Sequence, residues 1–286
     1  TKANYTHYQM LQEVEATFKK WSPAIFLGYA NINFDDEMLR KELFKGLRQP
    51  YLTNTNGNKR QDGLNIVRAA FAVNQNILKT EFNEKGNAVM KLESLARMNG
   101  IESSGAHNAL FDAELTKSVL KKIYNEQNIT WRSAMLTGSR EQVENFARNE
   151  LMFSLNEYFY GKSKLYLVTP LSSEYMLHPI YKWVQAFDLR FNPEDYFKLS
   201  LNDLKSEIKK TPKFIRTIRS NKAPVLLNAT YASKVEPYSI ISSEELFKRA
   251  KLIRENKDEI PQYWFLGLRD NIIGQQRGTN VIWPNE

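Results

Sequence analysis

The sequence predicts two domains in series, an α/β domain followed by a mostly β domain, and three observations predict it. Short apolar runs and amphipathic helical patterns alternate through about residue 125, as in an α/β domain. Beyond that point the chain changes to short aromatic and β-branched runs separated by turn residues, the pattern of an antiparallel barrel or sandwich. Its 286 residues, 42% hydrophobic and 25% charged, suffice to bury one or two sizeable cores.

In YQMLQEVEATFKKW, Leu11, Val14 and Phe18 recur at helical intervals, and Ser22-Pro23 stops the helix. AIFLGYA is a continuous apolar run bounded by Pro23 and the polar NINFDDE, which predicts a strand buried on both faces. DDEMLRKELFKGL reads as a helix whose first-turn acids suit its dipole. RQPYLTNTNGNKRQDG, rich in Asn and Gly, reads as a polar loop. LNIVRAAFAV reads as a short strand or a helix, KLESLARMNG as a helix closed by Gly100, and Asn108 to Tyr124 as a long helix. In the second half, LMFSLNEYFYGKSKLYLVTPL predicts two strands turning at YGKS, YKWVQAFDLRF another strand, and SEELFKRAKLIRENK an amphipathic helix. The expected boundaries are a first domain over 1–125, a linker over 126–140, a second domain over 141–260 and the start of a connector over 261–286.

Composition narrows the function. The absence of cysteine excludes a disulfide framework and thiolate metal sites and suits a reducing compartment. No apolar run approaches the ~18 residues of a membrane span, and TKANYTHYQM has no secretory signal pattern, so a cytoplasmic location is expected. A net charge of +8 favours an acidic partner, nucleic acid first among them. The positive excess is shared evenly between the two halves, so any nucleic-acid surface is shared or local. The densest basic stretch, KKTPKFIRTIRSNK, places Lys209, Lys210, Lys213, Arg216, Arg219 and Lys222 without an intervening acid, as either a phosphate-contacting or a solvated face.

Asp35 lies at the carboxyl end of the AIFLGYA strand, where open α/β sheets present their ligands. Asp112 falls in the first turns of the long helix, with His107 just before it. Two aspartates from different elements suit a hard cation such as Mg²⁺, and an imidazole beside them suits a general base toward a metal-bound water. On spacing alone His107 stays open to three readings: a packing residue, a helix cap, or half of a pair with Asp112. Asp36, Glu37 and Glu114 read as solvated first-turn acids. Tyr158, Tyr160 and Trp183 read as strand core, with base stacking as the alternative.

The segments LGYANINFDDEMLR, KRQDGLNIVRA and KLESLARMNGIESSGAHNALFDAELT, in that order and with those separations, resemble the DEDDh group of 3′ to 5′ exonucleases. Within it they resemble most the bacterial exodeoxyribonuclease I family. The family's Asn-x-x-Phe-Asp is met by Asn31, Phe34 and Asp35, and its Arg-x-Asp by Arg60 and Asp62. Its Asn-Gly-Ile followed by Ala-His-x4-Asp is met by Asn99, Gly100, Ile101, Ala106, His107 and Asp112. PLSSEYMLHP and RSNKAPVLLNAT resemble its SH3-like domain, so the likeness runs from about residue 10 to 260.

This resemblance implies an RNase-H-like exonuclease domain followed by a mostly β, SH3-like domain with additional helices. It implies release of nucleotides from the 3′ end of single-stranded DNA, in DNA repair or recombination. Asp35 and Asp112 would hold metal, two Mg²⁺ ions (or Mn²⁺) about 3.5–4 Å apart, and His107 would take the proton from the attacking water. Asn31, Phe34, Arg60, Arg68, Arg216 and Arg219 are the implied DNA contacts. Single-stranded-DNA-binding protein is an implied partner of a monomeric enzyme. The family's Asp-x-Glu, source of two of its four metal-binding acids, has no counterpart before Asp35. The expectation is therefore a fragment truncated at both ends, without nuclease activity by itself. Two alternatives stay open: a DEDDh enzyme acting on RNA ends or in proofreading, and a non-catalytic single-stranded nucleic-acid binding protein. The SH3-like segment speaks against small RNA-trimming enzymes, which end soon after the His-x4-Asp helix.

Overall fold

The computed structural model describes residues 6–101, 109–173 and 175–255. They form two compact units. The first comprises the chain up to Phe146 with Asn156–Leu165 and Ser220–Leu227; the second comprises Ala147–Leu155, Tyr166–Arg219 and the chain from Asn228 onward.

The first unit opens with α1 (His7–Trp21), whose cap is reciprocal: the Gln9 amide N–H donates to Thr6 Oγ1 at 3.2 Å, and the Thr6 N–H donates to Gln9 Oε1 at 2.9 Å. β1 (Ile25–Gly28) leads through a 3-10 turn, Asn31–Asn33, into α2 (Asp35–Lys45). Leu11 of α1, Leu43 of α2 and Leu52 form a buried cluster flanked by Phe18 and Leu39. β2 (Lys59–Asp62) pairs in parallel with β1, from Ile25 opposite Lys59 to Gly28 opposite Asp62. Then come α3 (Gly63–Val73), α4 (Leu92–Met98), α5 (Ala109–Glu126), α6 (Asn128–Met135) and α7 (Arg140–Asn149). α5 packs against α3, α4 and α6 and buries Leu115, Val119, Leu120 and Ile123, each burial stabilising by about 1.5–3 kcal/mol.

Three expectations are corrected here. β1 is not buried on both faces: Ile25 is 42% exposed and the rest of the strand is half-buried, because among the described residues β2 is its sole strand partner. The polar segment from Arg48 to Gly63 is not all loop, since it contains β2, held by its pairing to β1 rather than by any apolar pattern. Residues 126–140, expected as a linker, contain α6, packed with Thr130 and Ala134 fully buried.

Asn58, at the end of that polar segment, ties it down. Its Oδ1 accepts from the Ala24 N–H at 2.9 Å, and its Nδ2 donates to Ser22 Oγ at 2.8 Å and to the Leu52 carbonyl at 2.6 Å. Asn58→Ala is expected to lower stability by about 1–3 kcal/mol, since it strands buried polar partners. Urea unfolding measures it, and an unchanged midpoint would mean that water replaces the amide.

A five-stranded sheet follows. Its strands are β3 (Phe153–Phe159), β4 (Lys162–Pro170), β5 (Val184–Asp188), β6 (Ile215–Ile218) and β7 (Leu226–Asn228), in the order β6-β5-β4-β3-β7. β5 and β6 lie wholly in the second unit, and β5 runs antiparallel to both β4 and β6. β3 and β4 turn where expected, at Tyr160 (φ 49°) and Gly161 (φ 81°). The helices are α8 (Glu194–Phe197), α9 (Leu201–Glu207), α10 (Ala229–Ala232) and α11 (Ser243–Glu255), the last burying Leu246, Ala250 and Ile253. Among the described residues no helix is long and apolar enough to cross a membrane. The expected connector over 261–286 lies outside the described residues.

Candidate active site and nucleic-acid interface

Asp35 is the first residue of α2, just beyond the carboxyl end of β1. The turn that delivers it is held by Asp62 at the matching end of β2. One oxygen, Asp62 Oδ1, accepts from the Ala30 N–H and from the Leu64 N–H, both at 2.9 Å, so a single carboxylate fixes the turn and caps α3. Burial pushes the Asp62 carboxyl up, against these backbone N–H groups, which favour its charged form. Gly63 completes the junction: a Cβ there would stand 3.0 Å from the Gly28 carbonyl oxygen, so α3 starts close against the end of β1 because that residue lacks a side chain.

Within this frame the side chains separate by exposure. Asn31 is 6% exposed, and its amide donates to the carbonyls of Gly28 and Gln61 at 3.1 Å each. Asp36 turns inward and pairs with Arg60 at 3.1 Å. Burial pushes the Asp36 carboxyl up while the Arg60 guanidinium pulls it down. Asp35 remains exposed, its carboxylate in no hydrogen bond or ion pair among the described residues, beside Phe34, whose ring is 67% exposed.

Asp112 occupies the first turn of α5. Its Oδ1 is buried and has no hydrogen-bond partner among the described residues, a position open to a cation. Among the described residues no group of three or more His, Asp or Glu is placed to hold a metal ion. Asp35 and Asp112 carry the oxygen donors a hard cation takes, but two carboxylates would leave most of its shell to other groups or water. His107 lies outside the described residues.

The expected DNA contacts divide in the same way. Asn31 and Arg60 are corrected to internal roles, because each is buried and occupied by the protein itself. Arg216 is corrected likewise: it is 8% exposed, its Nε donates to Asp188 Oδ2 at 3.1 Å and its guanidinium lies 3.4 Å from the centre of the Tyr166 ring. Arg68 stacks on Tyr158, 3.9 Å from the ring centre. Arg219 is exposed, 5.4 Å from the Trp183 ring centre, and Trp183 in turn stacks on Tyr181 at 4.6 Å. Lys209, Lys210 and Lys213 are exposed, with Lys210 paired to Glu207. The aromatic residues expected as strand core are not core: Tyr160 is 97% exposed, and Tyr158 and Trp183 are half-buried under arginines. Of the acids read as solvated, Glu114 is exposed, but Asp36 is buried and Glu37 pairs with Arg40 at 3.1 Å. The sequence carries no local signal for the Asp36–Arg60 pair, whose members stand 24 residues apart.

No protein-family model matches the chain. Among curated proteins it is 34% identical over 127 residues to exodeoxyribonuclease I of Buchnera aphidicola subsp. Schizaphis graminum, a match covering 44% of this chain and 26% of that protein. Among solved structures it matches E. coli exonuclease I in complex with a dA16 oligonucleotide, with a TM-score of 0.71 at 20% identity, over 98% of this chain and 60% of the other. It also matches an ExoI/SSB-Ct complex, with a TM-score of 0.70 at 21% identity, over 98% of this chain and 62% of the other. The chain therefore spans about a quarter of that curated relative in sequence, at 26%, and at 60–62% less than two thirds of these solved chains in structure. In sequence over the matched segment, and in fold over most of its length, the chain is similar to exodeoxyribonuclease I.

Proposed function

We propose that the chain is part of a metal-dependent exonuclease that shortens single-stranded DNA from its 3′ end. In this reading residues 1–125 belong to an RNase-H-like domain and residues 141–260 to an SH3-like domain that holds DNA, with α6 belonging to the first rather than to a linker. The observation that carries the reading is Asp35 and Asp112 standing at family motif positions, one exposed at the start of α2 and the other with a buried oxygen unpartnered among the described residues, in a chain similar to exodeoxyribonuclease I.

Asp35 and Asp112 would hold Mg²⁺, or Mn²⁺, together with further oxygen ligands. A bound cation of this kind offsets the charge that develops on a phosphodiester during hydrolysis. His107 is proposed as the base that takes a proton from the attacking water, which requires its neutral form. Exposed Phe34 would stack on a base, and Arg68 and Arg219, lying over aromatic rings, would offer mixed cationic and aromatic surfaces tolerant of sequence. Single-stranded-DNA-binding protein is the proposed protein partner, supported by the likeness to an ExoI/SSB-Ct complex. A chain with no cysteine suits a cytoplasmic setting.

The test is single-turnover digestion of a 5′-labelled single-stranded oligonucleotide by residues 1–286 beside a chain carrying an Asp-x-Glu strand upstream of Thr1. Shortening from the 3′ end is expected from the second alone, and only with Mg²⁺ or Mn²⁺ present. Undiminished digestion in chelator would overturn the metal-dependent mechanism. Equal rates from the two chains would place all the catalytic acids within these residues, and binding without shortening in either would favour a non-catalytic DNA-binding protein.

A further inference from the structure

A cleft of about 640 Å³ opens in the first unit, walled by the Tyr51 and Asn54–Asn58 segment, the start of β2 and the start of α7. Arg40, Lys59, Arg60 and Arg140 line it against a single lining carboxylate, Glu141. Two of the four cations are committed internally. Arg60 pairs with Asp36 at 3.1 Å; Arg40 pairs with Glu37 at 3.1 Å and lies over the Tyr51 ring at 5.0 Å. Lys59 and Arg140 enter no ion pair among the described residues, and Arg140 is exposed. Arg40 Nε, although buried, has no hydrogen-bond partner among the described residues.

Cations gathered in a concave site repel one another, and the low-dielectric walls focus the resulting field outward, so an arrangement left uncompensated attracts an anion. Two further features add to it. The positive end of the α7 dipole lies at the Gly138–Glu141 wall, and Asn54 and Asn56 of the lining add neutral amide donors. We propose that this cleft grips a backbone phosphate of a single-stranded nucleic acid, with Lys59 and Arg140 as the charged ligands. Arg140 offers a planar fork for two phosphate oxygens and Lys59 a mobile point charge. The volume accommodates a phosphate with its sugar. The position also fits: Ile32 of the cleft lies in the turn that delivers Asp35, and Arg60 of the cleft pairs with the residue that follows Asp35. A phosphate held here is thus anchored to β2 and next to the turn that delivers the candidate catalytic carboxylate. The proposal rests on the nucleic-acid reading above and names where the strand is held.

The experiment compares wild type with the Lys59→Ala/Arg140→Ala double variant, using fluorescence anisotropy of a labelled oligothymidylate over a range of salt. Loss of two phosphate contacts is expected to flatten the plot of log K against log salt by about 1.4, at about 0.7 per contact. Across a fourfold rise in salt, wild-type affinity then falls about 7-fold more than the variant's. Lys59→Arg should keep the slope, and circular dichroism melts check that the variants are folded. An unchanged slope with intact DNA binding overturns the cleft proposal and leaves the exonuclease reading standing. A second arm follows the Gly57 and Gly138 amide resonances during titration with inorganic phosphate and with thymidine monophosphate. If the oligonucleotide fails to bind while these small anions shift both resonances, the cleft takes free phosphate and the strand-gripping role is overturned. If neither oligonucleotide nor small anion perturbs the cleft, the proposal fails outright.

Discussion

Asp188→Ala is expected to destabilise the protein by about 3–5 kcal/mol, the cost of leaving buried charges unpaired. Asp188 is fully buried at the end of β5 and serves four donors. Its Oδ1 accepts from the Tyr238 hydroxyl at 2.6 Å and the Arg190 N–H at 3.1 Å, and its Oδ2 accepts from Arg190 Nε at 3.0 Å and Arg216 Nε at 3.1 Å. Burial, and then the Asp188 charge, push the Tyr238 hydroxyl well above its usual range, so it donates rather than ionises. Truncation takes the Asp188 carboxylate away from two guanidinium groups that lie beside the Tyr166 ring. Calorimetry should register the loss as a fall in melting temperature on the order of 10 °C. Asp188→Asn, which keeps acceptor capacity but not charge, should fall between the two. A change below about 1 kcal/mol for the alanine variant would show that water enters the network and that the pairing is dispensable.

Asp112→Asn is expected to abolish turnover in the catalytically competent chain while leaving oligonucleotide affinity nearly unchanged. A direct metal ligand should matter more than an outer-shell partner, whose loss costs about 10–100-fold, so the fall in single-turnover rate should exceed 100-fold. The buried Oδ1, without a hydrogen-bond partner among the described residues, supplies an independent readout. A neutral amide of the same shape keeps the local packing without a cation, so the variant should melt at about the same temperature as wild type in chelator. With metal present, the wild type alone should gain stability by ligand linkage. A parallel loss of DNA affinity and stability would instead make Asp112 a structural residue.

Local signals carried much of the architecture. α1 stops at Ser22-Pro23, α4 ends at a glycine with φ 70°, and α5 repeats its apolar face at helical spacing, because stop residues and periodicity act over a few positions. The β3–β4 turn was legible for the same reason, as was the arrival of Asp35 at the end of β1, which needs only a strand followed by an acidic helix start. The motif spacing singled out Asp112, but not that its Oδ1 is left without a donor among the described residues.

Charged and polar residues were the illegible part. KRQD has no strand pattern; it is β2 because β1 offers it a ladder and because Gln61 donates to the Ala134 carbonyl of α6. Arg60 and Arg216 stand in the sequence as free cations, yet Asp36 and Asp188, 24 and 28 residues away, draw them inside. Lys59 and Arg140 look no different from them, and they alone of the four keep their charges uncompensated, on the wall of one cleft. Helical periodicity is a property of neighbours in the chain, so composition and spacing determine it. Whether a charge faces solvent, a carboxylate or a ligand depends on partners brought up by folding, because the desolvation of an ion is offset only at the short distances that tertiary contacts create.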